Sequence, residues 1–148
     1  MYKNILVATD LSPRSQTGLK KAVEFAHIFN SNIFLLNVHE EFLNKKELIM
    51  SRVNIEKLQN IYEHNSLESK KKINKWIDLN NKNNFKVEIL LREGKASEEI
   101  LTTASEFNCD LIIVGANGKT GISDYIMGTT TENIVNKSKI PVLVIPNI

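Results

Sequence analysis

Apolar residues gather in five short runs along the chain: Asn4–Thr9, residues 32–38, residues 85–91, Leu111–Gly115 and residues 141–145. Four of these runs are rich in Val, Ile, Leu or Phe with little alternation, which predicts strands covered on both faces. The third differs: Lys86-Val87-Glu88-Ile89 alternates before the run turns apolar, which places it nearer a sheet edge. Between the runs, apolar positions recur at three- and four-residue steps. Over residues 12–30, Leu19, Ala22, Val23, Ala26 and Phe29 share a helix face; Ser12 suits the N-cap, Pro13 the first helical position, and Asn30-Ser31 breaks the pattern. Residues 41–80 are long and polar, with a narrow apolar stripe that includes Ile55, Ile73, Trp76 and Ile77; they predict one long helix with an irregular start near 42–50. Lys70-Lys71-Lys72 is read as part of its solvated face in preference to a phosphate-binding group, and the asparagine-rich residues 80–84 form a loop. Residues 96–107 and Thr129–Lys137 supply a third and a fourth helix.

Strands alternating with helices in the order βαβαβαβαβ predict an α/β fold: a five-stranded parallel sheet, doubly wound, in three layers. In such sheets ligands bind outside the carboxyl ends of the strands, where the strand order reverses. With 148 residues and no internal repeat or low-complexity linker, the expectation is one domain over residues 1–148.

Composition narrows the partners. Apolar content of 42% and charged content of 24% are ordinary for a globular domain, and a net charge of +2 is too small to point to nucleic acid or an anionic membrane. The single cysteine, Cys109, excludes an internal disulfide and reads as a small buried hydrophobe beside the fourth strand. No run approaches the ~18 apolar residues of a membrane span, and the N-terminus lacks a signal-like apolar region, so a cytoplasmic location is expected.

Three strand ends carry candidate chemistry: Ala8-Thr9-Asp10, Asn37-Val38-His39, and Val114-Gly115 with the segment that follows. Asp10 either holds a ribose hydroxyl or a magnesium-bound water, or satisfies backbone N–H groups of its own turn. After the fourth strand come Gly115, Gly118 and Gly128-Thr129, a G-x2-G-x9-G-[ST] pattern holding three of the six glycines, with Gly121 between them. The segment is two residues too short for the G-x4-G-K-[ST] phosphate loop and does not match the G-x-G-x-x-G dinucleotide fingerprint. As a plain turn it holds more glycine than needed, since each glycine near a helix costs up to about 1 kcal/mol relative to alanine. Thr129 and Glu132 have the spacing of a capping box, and a helix N-terminus rich in hydroxyls is also an anion site. No spacing of His, Asp or Glu resembles a metal site.

The full set resembles the universal stress protein (UspA-like) family. The resemblance rests on Ile5–Asp10 followed by Ser12 and Ser15, Leu35-Leu36-Asn37-Val38-His39, Glu93-Gly94, Cys109–Gly115, Gly128-Thr129 with Thr131-Glu132-Asn133, and Pro141–Pro146, which together run nearly the full chain. It implies the strand order 3-2-1-4-5, an adenine nucleotide alpha hydrolase-like sheet, with Asp10 and Gly115 meeting where the order reverses. Family members that bind ATP carry G-x2-G-x9-G-[ST], matched here at Gly115, Gly118, Gly128 and Thr129. The same resemblance implies that Ala8, Thr9 and Asp10 line the ribose and phosphate side, that Val38 meets adenine through its backbone, and that Val114 floors the pocket. Thr129 and Thr130 would bind phosphates, and Asp10 would contact Mg²⁺ indirectly. The last strand, from Pro141 to Ile145, would pair across a homodimer axis. Asn117 stands where many members have His, Lys119 where many have Arg, and the second helical region is long and asparagine-rich.

The resulting expectation is an ATP-binding protein of the stress response, with the nucleotide a bound signal or structural ligand and at most slow hydrolysis or autophosphorylation. No catalytic residue is assigned. Two rival readings are a protein-interaction module whose glycine segment is only a turn, and a nucleotide hydrolase-like enzyme using the same sheet edge.

Overall fold

The computed structural model describes residues 1–40, 55–80, 85–117 and 126–146. Five strands, β1 (Asn4–Thr9), β2 (Asn32–His39), β3 (Val87–Glu93), β4 (Leu111–Gly115) and β5 (Val142–Ile145), form one sheet in the order β3-β2-β1-β4-β5. Every adjacent pair is parallel, with Asn4 opposite Asn32, Ile33 opposite Val87, Ile5 opposite Leu111 and Ile112 opposite Val142. The helices are α1 (Gln16–Phe29), α2 (Ile55–Asn80), α3 (Ala96–Glu106) and α4 (Thr129–Lys137). The sheet and its strand order are those expected from the sequence.

Strand alternation sorts the core into two faces. Ile5, Val7, Ile33, Leu35 and Ile113 pack with Leu19, Ala22 and Ala26 of α1 and with Ile73 and Trp76 of α2. Leu6, Leu36, Ile112 and Val114 pack with Ile100 and Ala104 of α3 and Ile134 of α4. Both sides of the central strands are therefore dry, which is why their sequences read as continuous apolar runs instead of alternating ones. Cys109 joins the α3/α4 side; burial, and secondarily the Asp110 carboxylate, push its thiol up to about 12.

The boundaries depart from expectation in ways that have local causes. Ser12 does not cap a helix with its side chain: Pro13–Ser15 is a 3-10 turn and α1 begins only at Gln16. The turn tightens there because Ser15 Oγ donates to the Ser12 carbonyl at 2.7 Å while Ser15 N reaches the same oxygen at 3.1 Å. Asn30 ends α1 in the left-handed region, φ 56, as its short polar side chain permits. The third strand runs two residues later than its apolar run, because its ladder with β2 continues to Val38–Arg92 and His39–Glu93. Its edge position matches the alternating pattern. Pro141 precedes β5 instead of opening it, although its carbonyl accepts from Ile112 N at 3.0 Å. The irregular helix start near 42–50 and most of the asparagine-rich loop lie outside the described residues.

Candidate functional site

The chain runs outward from β1 to β2 and β3, then returns to place β4 on the other side of β1. The β1–β4 ladder ends at Val7–Ile113, two residues before Thr9 and Gly115 close their strands. A cleft of about 1080 Å³ opens at this carboxyl edge. Of the residues expected from the sequence, Ala8, Thr9, Asp10, Val38, Val114, Gly115, Gly128, Thr129 and Thr130 all line it. Gly118 lies outside the described residues.

The β1–α1 turn is held by a chain of hydroxyls. Leu11 N donates to Thr9 Oγ1 at 3.1 Å, and Thr9 Oγ1 and Ser15 Oγ lie 2.7 Å apart. Because Ser15 gives its proton to the Ser12 carbonyl, Thr9 must donate to Ser15. The Thr9 hydroxyl is thus committed to the turn, and Thr9 presents mainly backbone to the cleft. Asp10 Oδ1 accepts from Ser12 N at 2.9 Å, which stabilises the turn. Its second oxygen, Oδ2, is buried with no hydrogen-bond partner among the described residues. An unpaired buried carboxylate oxygen costs roughly 1–3 kcal/mol or more, so the turn alone does not account for Asp10. Leu11 completes the turn at φ 63, a left-handed conformation that costs a non-glycine residue about 1–3 kcal/mol.

Asn37 sits beside Thr9 on β2 and is 4% exposed. Its Nδ2 donates to the Thr9 carbonyl at 2.9 Å, while its Oδ1 is buried with no hydrogen-bond partner among the described residues. Two acceptor oxygens without donors, from Asp10 and Asn37, therefore stand near the same strand ends. The sequence named Asn37 only as part of a strand end; the amide's burial was not visible because it depends on the neighbouring strand.

The other wall is the glycine segment and α4. Gly115 and Gly128 do not have positive φ; among the described glycines only Gly94, at φ +147, does. A Cβ on Gly115 would meet nothing closer than the Asn117 carbonyl at 3.6 Å, an ordinary contact. Among the described residues, neither turn conformation nor packing requires glycine at 115. Gly128 N donates to the Ala116 carbonyl and Ala116 N to the Ile145 carbonyl, both at 2.8 Å, which ties the segment to β5.

The expected capping box does not form. Gly128, not Thr129, is the N-cap of α4, in extended conformation and without a side-chain bond. Thr129 and Thr130 are the first two helical residues, exposed on the cleft, with their N–H groups at the positive end of the helix. Thr131 is the residue that fixes them. It is 3% exposed, and its Oγ1 donates to the Gly115 carbonyl at 2.7 Å, pinning the α4 N-terminus to the end of β4. No signal in the sequence separates Thr131 from its two neighbours, because only the helix rotation turns it inward.

Val38 and Val114 contribute an apolar floor, both packed against the α3/α4 side. His39 also lines the cleft, whereas His27 and His64 are exposed on α1 and α2. No group of three His, Cys, Asp or Glu among the described residues has the geometry to hold a metal ion. No described helix is long and apolar enough to cross a membrane.

Comparison with known proteins agrees with this architecture. Universal stress protein MJ0577 of Methanocaldococcus jannaschii is 32% identical over 156 aligned positions, covering 98% of this chain and 95% of its own. A solved structure of the hypothetical protein MJ0577 superposes with a TM-score of 0.83 at 30% identity, covering 100% of this chain and 98% of that one. A universal stress protein in complex with cAMP (TM-score 0.66, 19% identity, 97% and 96% coverage) and one from Archaeoglobus fulgidus in complex with dAMP (TM-score 0.65, 18% identity, 97% of each chain) share the fold. The sequence profile of the universal stress protein family matches residues 1–146. By sheet order, cleft position and sequence, the chain belongs to the universal stress protein family.

Proposed function

We propose that this protein binds ATP in the carboxyl-edge cleft and acts in a stress response, with the nucleotide as a bound signal or structural ligand. The observation that carries the reading is the pairing, among the described residues, of Gly115 at the end of β4, a glycine that neither φ nor packing demands, with a buried carboxylate oxygen of Asp10, just after β1, that lacks a donor. In this reading the N–H groups and hydroxyls of Thr129 and Thr130 hold phosphates at the α4 N-terminus, and Gly115, Gly118 and Gly128 complete the phosphate side. Ala8, Thr9 and Asp10 line the ribose side, and Asp10 carries any Mg²⁺ through water. Val38 meets adenine through its backbone above Val114. The family relatives solved with cAMP and dAMP support an adenine nucleotide as the ligand class. Hydrolysis or autophosphorylation is at most slow, and no residue is assigned as general base.

The test is direct. Protein purified natively and then denatured is expected to release an adenine nucleotide detectable by mass spectrometry, and ATP added to the stripped protein is expected to raise its Tm. Absence of both would remove the nucleotide reading and favour an interaction module. Product formed at many turnovers per minute would instead favour a hydrolase.

The protein acts as one cytoplasmic domain, and two copies pair through β5. That strand closes one edge of the sheet with Val142, Leu143 and Val144 only partly buried, and an exposed apolar edge is a template for strand pairing. A charged residue in place of Leu143 or Val144 is expected to yield monomers in sedimentation velocity; a dimer of unchanged mass would refute this interface.

A further inference from the structure

The helix across the cleft from the glycine segment is basic on the side that faces it. Glu68 stands three and four residues before Lys71 and Lys72, and Lys75 stands four and three after them, which puts the four on one side of α2, and all four line the cleft. The rotation of the helix is fixed by the adjacent stripe, since Ser69, Ile73 and Trp76 are buried. Arg14, from the 3-10 turn after β1, lines the same cleft. Lys71 is paired with Glu68 at 3.4 Å. Lys72 lies 5.6 Å from the centre of the Trp76 ring, and neither it, Lys75 nor Arg14 has a carboxylate within ion-pair distance among the described residues. The one carboxylate of these four, Glu68, is taken by Lys71, so Lys72 and Lys75 turn two further positive charges toward the cavity with no counter-ion of their own among the described residues.

We propose that Lys72 and Lys75, with Arg14, form a second phosphate contact that selects the nucleotide by phosphate number, favouring the diphosphate and triphosphate over the monophosphate. This rests on the nucleotide reading above and adds to it the basis of discrimination. The α4 N-terminus offers directed N–H groups at the glycine wall. The lysine ammonium groups are mobile point charges that respond to the amount of negative charge and not to its shape. Each added phosphate raises that charge, so the attraction to α2 grows with chain length and weakens with salt over a Debye length of about 8–10 Å.

Isothermal titration of the full chain with AMP, ADP and ATP, at low and high salt, tests the assignment. Affinity of the wild type is expected to rise from AMP to ATP. The double variant Lys72→Gln/Lys75→Gln is expected to lose about tenfold for ATP, a few-fold per exposed cation, with AMP affinity changed less than about twofold and the salt dependence flattened. Arg14→Gln should shift ATP in the same direction. The charge-preserving Lys72→Arg/Lys75→Arg variant is expected to restore ATP binding, which separates charge from the packing of Lys72 on Trp76. Equal losses for AMP and ATP, or no loss for either, would overturn the phosphate-counting role while leaving nucleotide binding intact. A wild type that binds none of the three would overturn the nucleotide reading, and this inference with it.

Discussion

Gly128→Val is expected to lower ATP affinity at least a hundredfold while the protein stays folded. Gly128 has φ −66 and ψ 151, a conformation that valine adopts without strain. Space is the limitation. A Cβ at this position already lies 3.3 Å from Asn117 Oδ1 and 3.4 Å from the Ala116 carbonyl, so the neighbours must give by a few tenths of an ångström. The γ-carbons of valine extend further into the same corner. The loop after β4 and the first turn of α4 must then separate, just where Thr129 and Thr130 present their N–H groups. Losing two charge-assisted hydrogen bonds to a phosphate, at roughly 1.5–3 kcal/mol each, is enough for a factor of about 100 or more. Titration calorimetry reads the affinity and circular dichroism the fold, on the same sample. Unchanged affinity in a folded variant would return the glycine segment to the status of a turn. The same outcome follows from the sequence for a bulky residue at Gly118.

Ile113→Ala is expected to destabilise the protein by about 2–5 kcal/mol, a large share of the stability of a domain this size. Ile113 is fully buried on β4, between Val7 of β1 and Leu143 of β5. Its side chain packs with the α1/α2 side of the sheet and lies close to α1, since a Cβ on Gly18 would be 3.7 Å from its Cγ2. Truncation leaves a cavity that three strands and a helix cannot all close. Urea denaturation should show a lower midpoint with an unchanged slope. Val135→Ala is the contrast: Val135 is 43% exposed on α4, and its loss should stay within about 0.5 kcal/mol. Equal effects at the two positions would mean that the core assignment of β4 is wrong. Saturating ATP should recover part of the Ile113→Ala loss, because the ligand binds only the folded state and Gly115 lies two residues beyond the cavity.

The apolar runs made the fold legible because a parallel sheet covered on both faces leaves a mark in each strand by itself. Leu111-Ile112-Ile113-Val114 needs no partner to be read as buried, and β1 and β4 begin and end where their runs do. β3 shows the limit of that signal. Its last residues, Arg92 and Glu93, are polar and extended only because β2 continues alongside them. Helix starts were less legible for a similar reason. Ser12 and Thr129 both have the right chemistry for an N-cap, yet the hydroxyl chain through Thr9 and Ser15 uses the first turn differently, and Gly128 occupies the cap of α4.

The site divides along the same line. By itself the sequence determined the family pattern, the glycine spacing, and that Asp10, Val38 and Gly115 come at strand ends, because each of these is a property of one continuous segment. Only the tertiary structure decided which polar groups near that edge lack partners among the described residues, that Thr131 and not Thr129 anchors α4, and that four cations, three from α2 and one from the turn after β1, line the cleft. Those facts depend on helix rotation and on which strand lies beside which. Both are set by burying Ile73, Trp76 and Ile134 against the sheet, a free energy that belongs to contacts between segments distant in sequence.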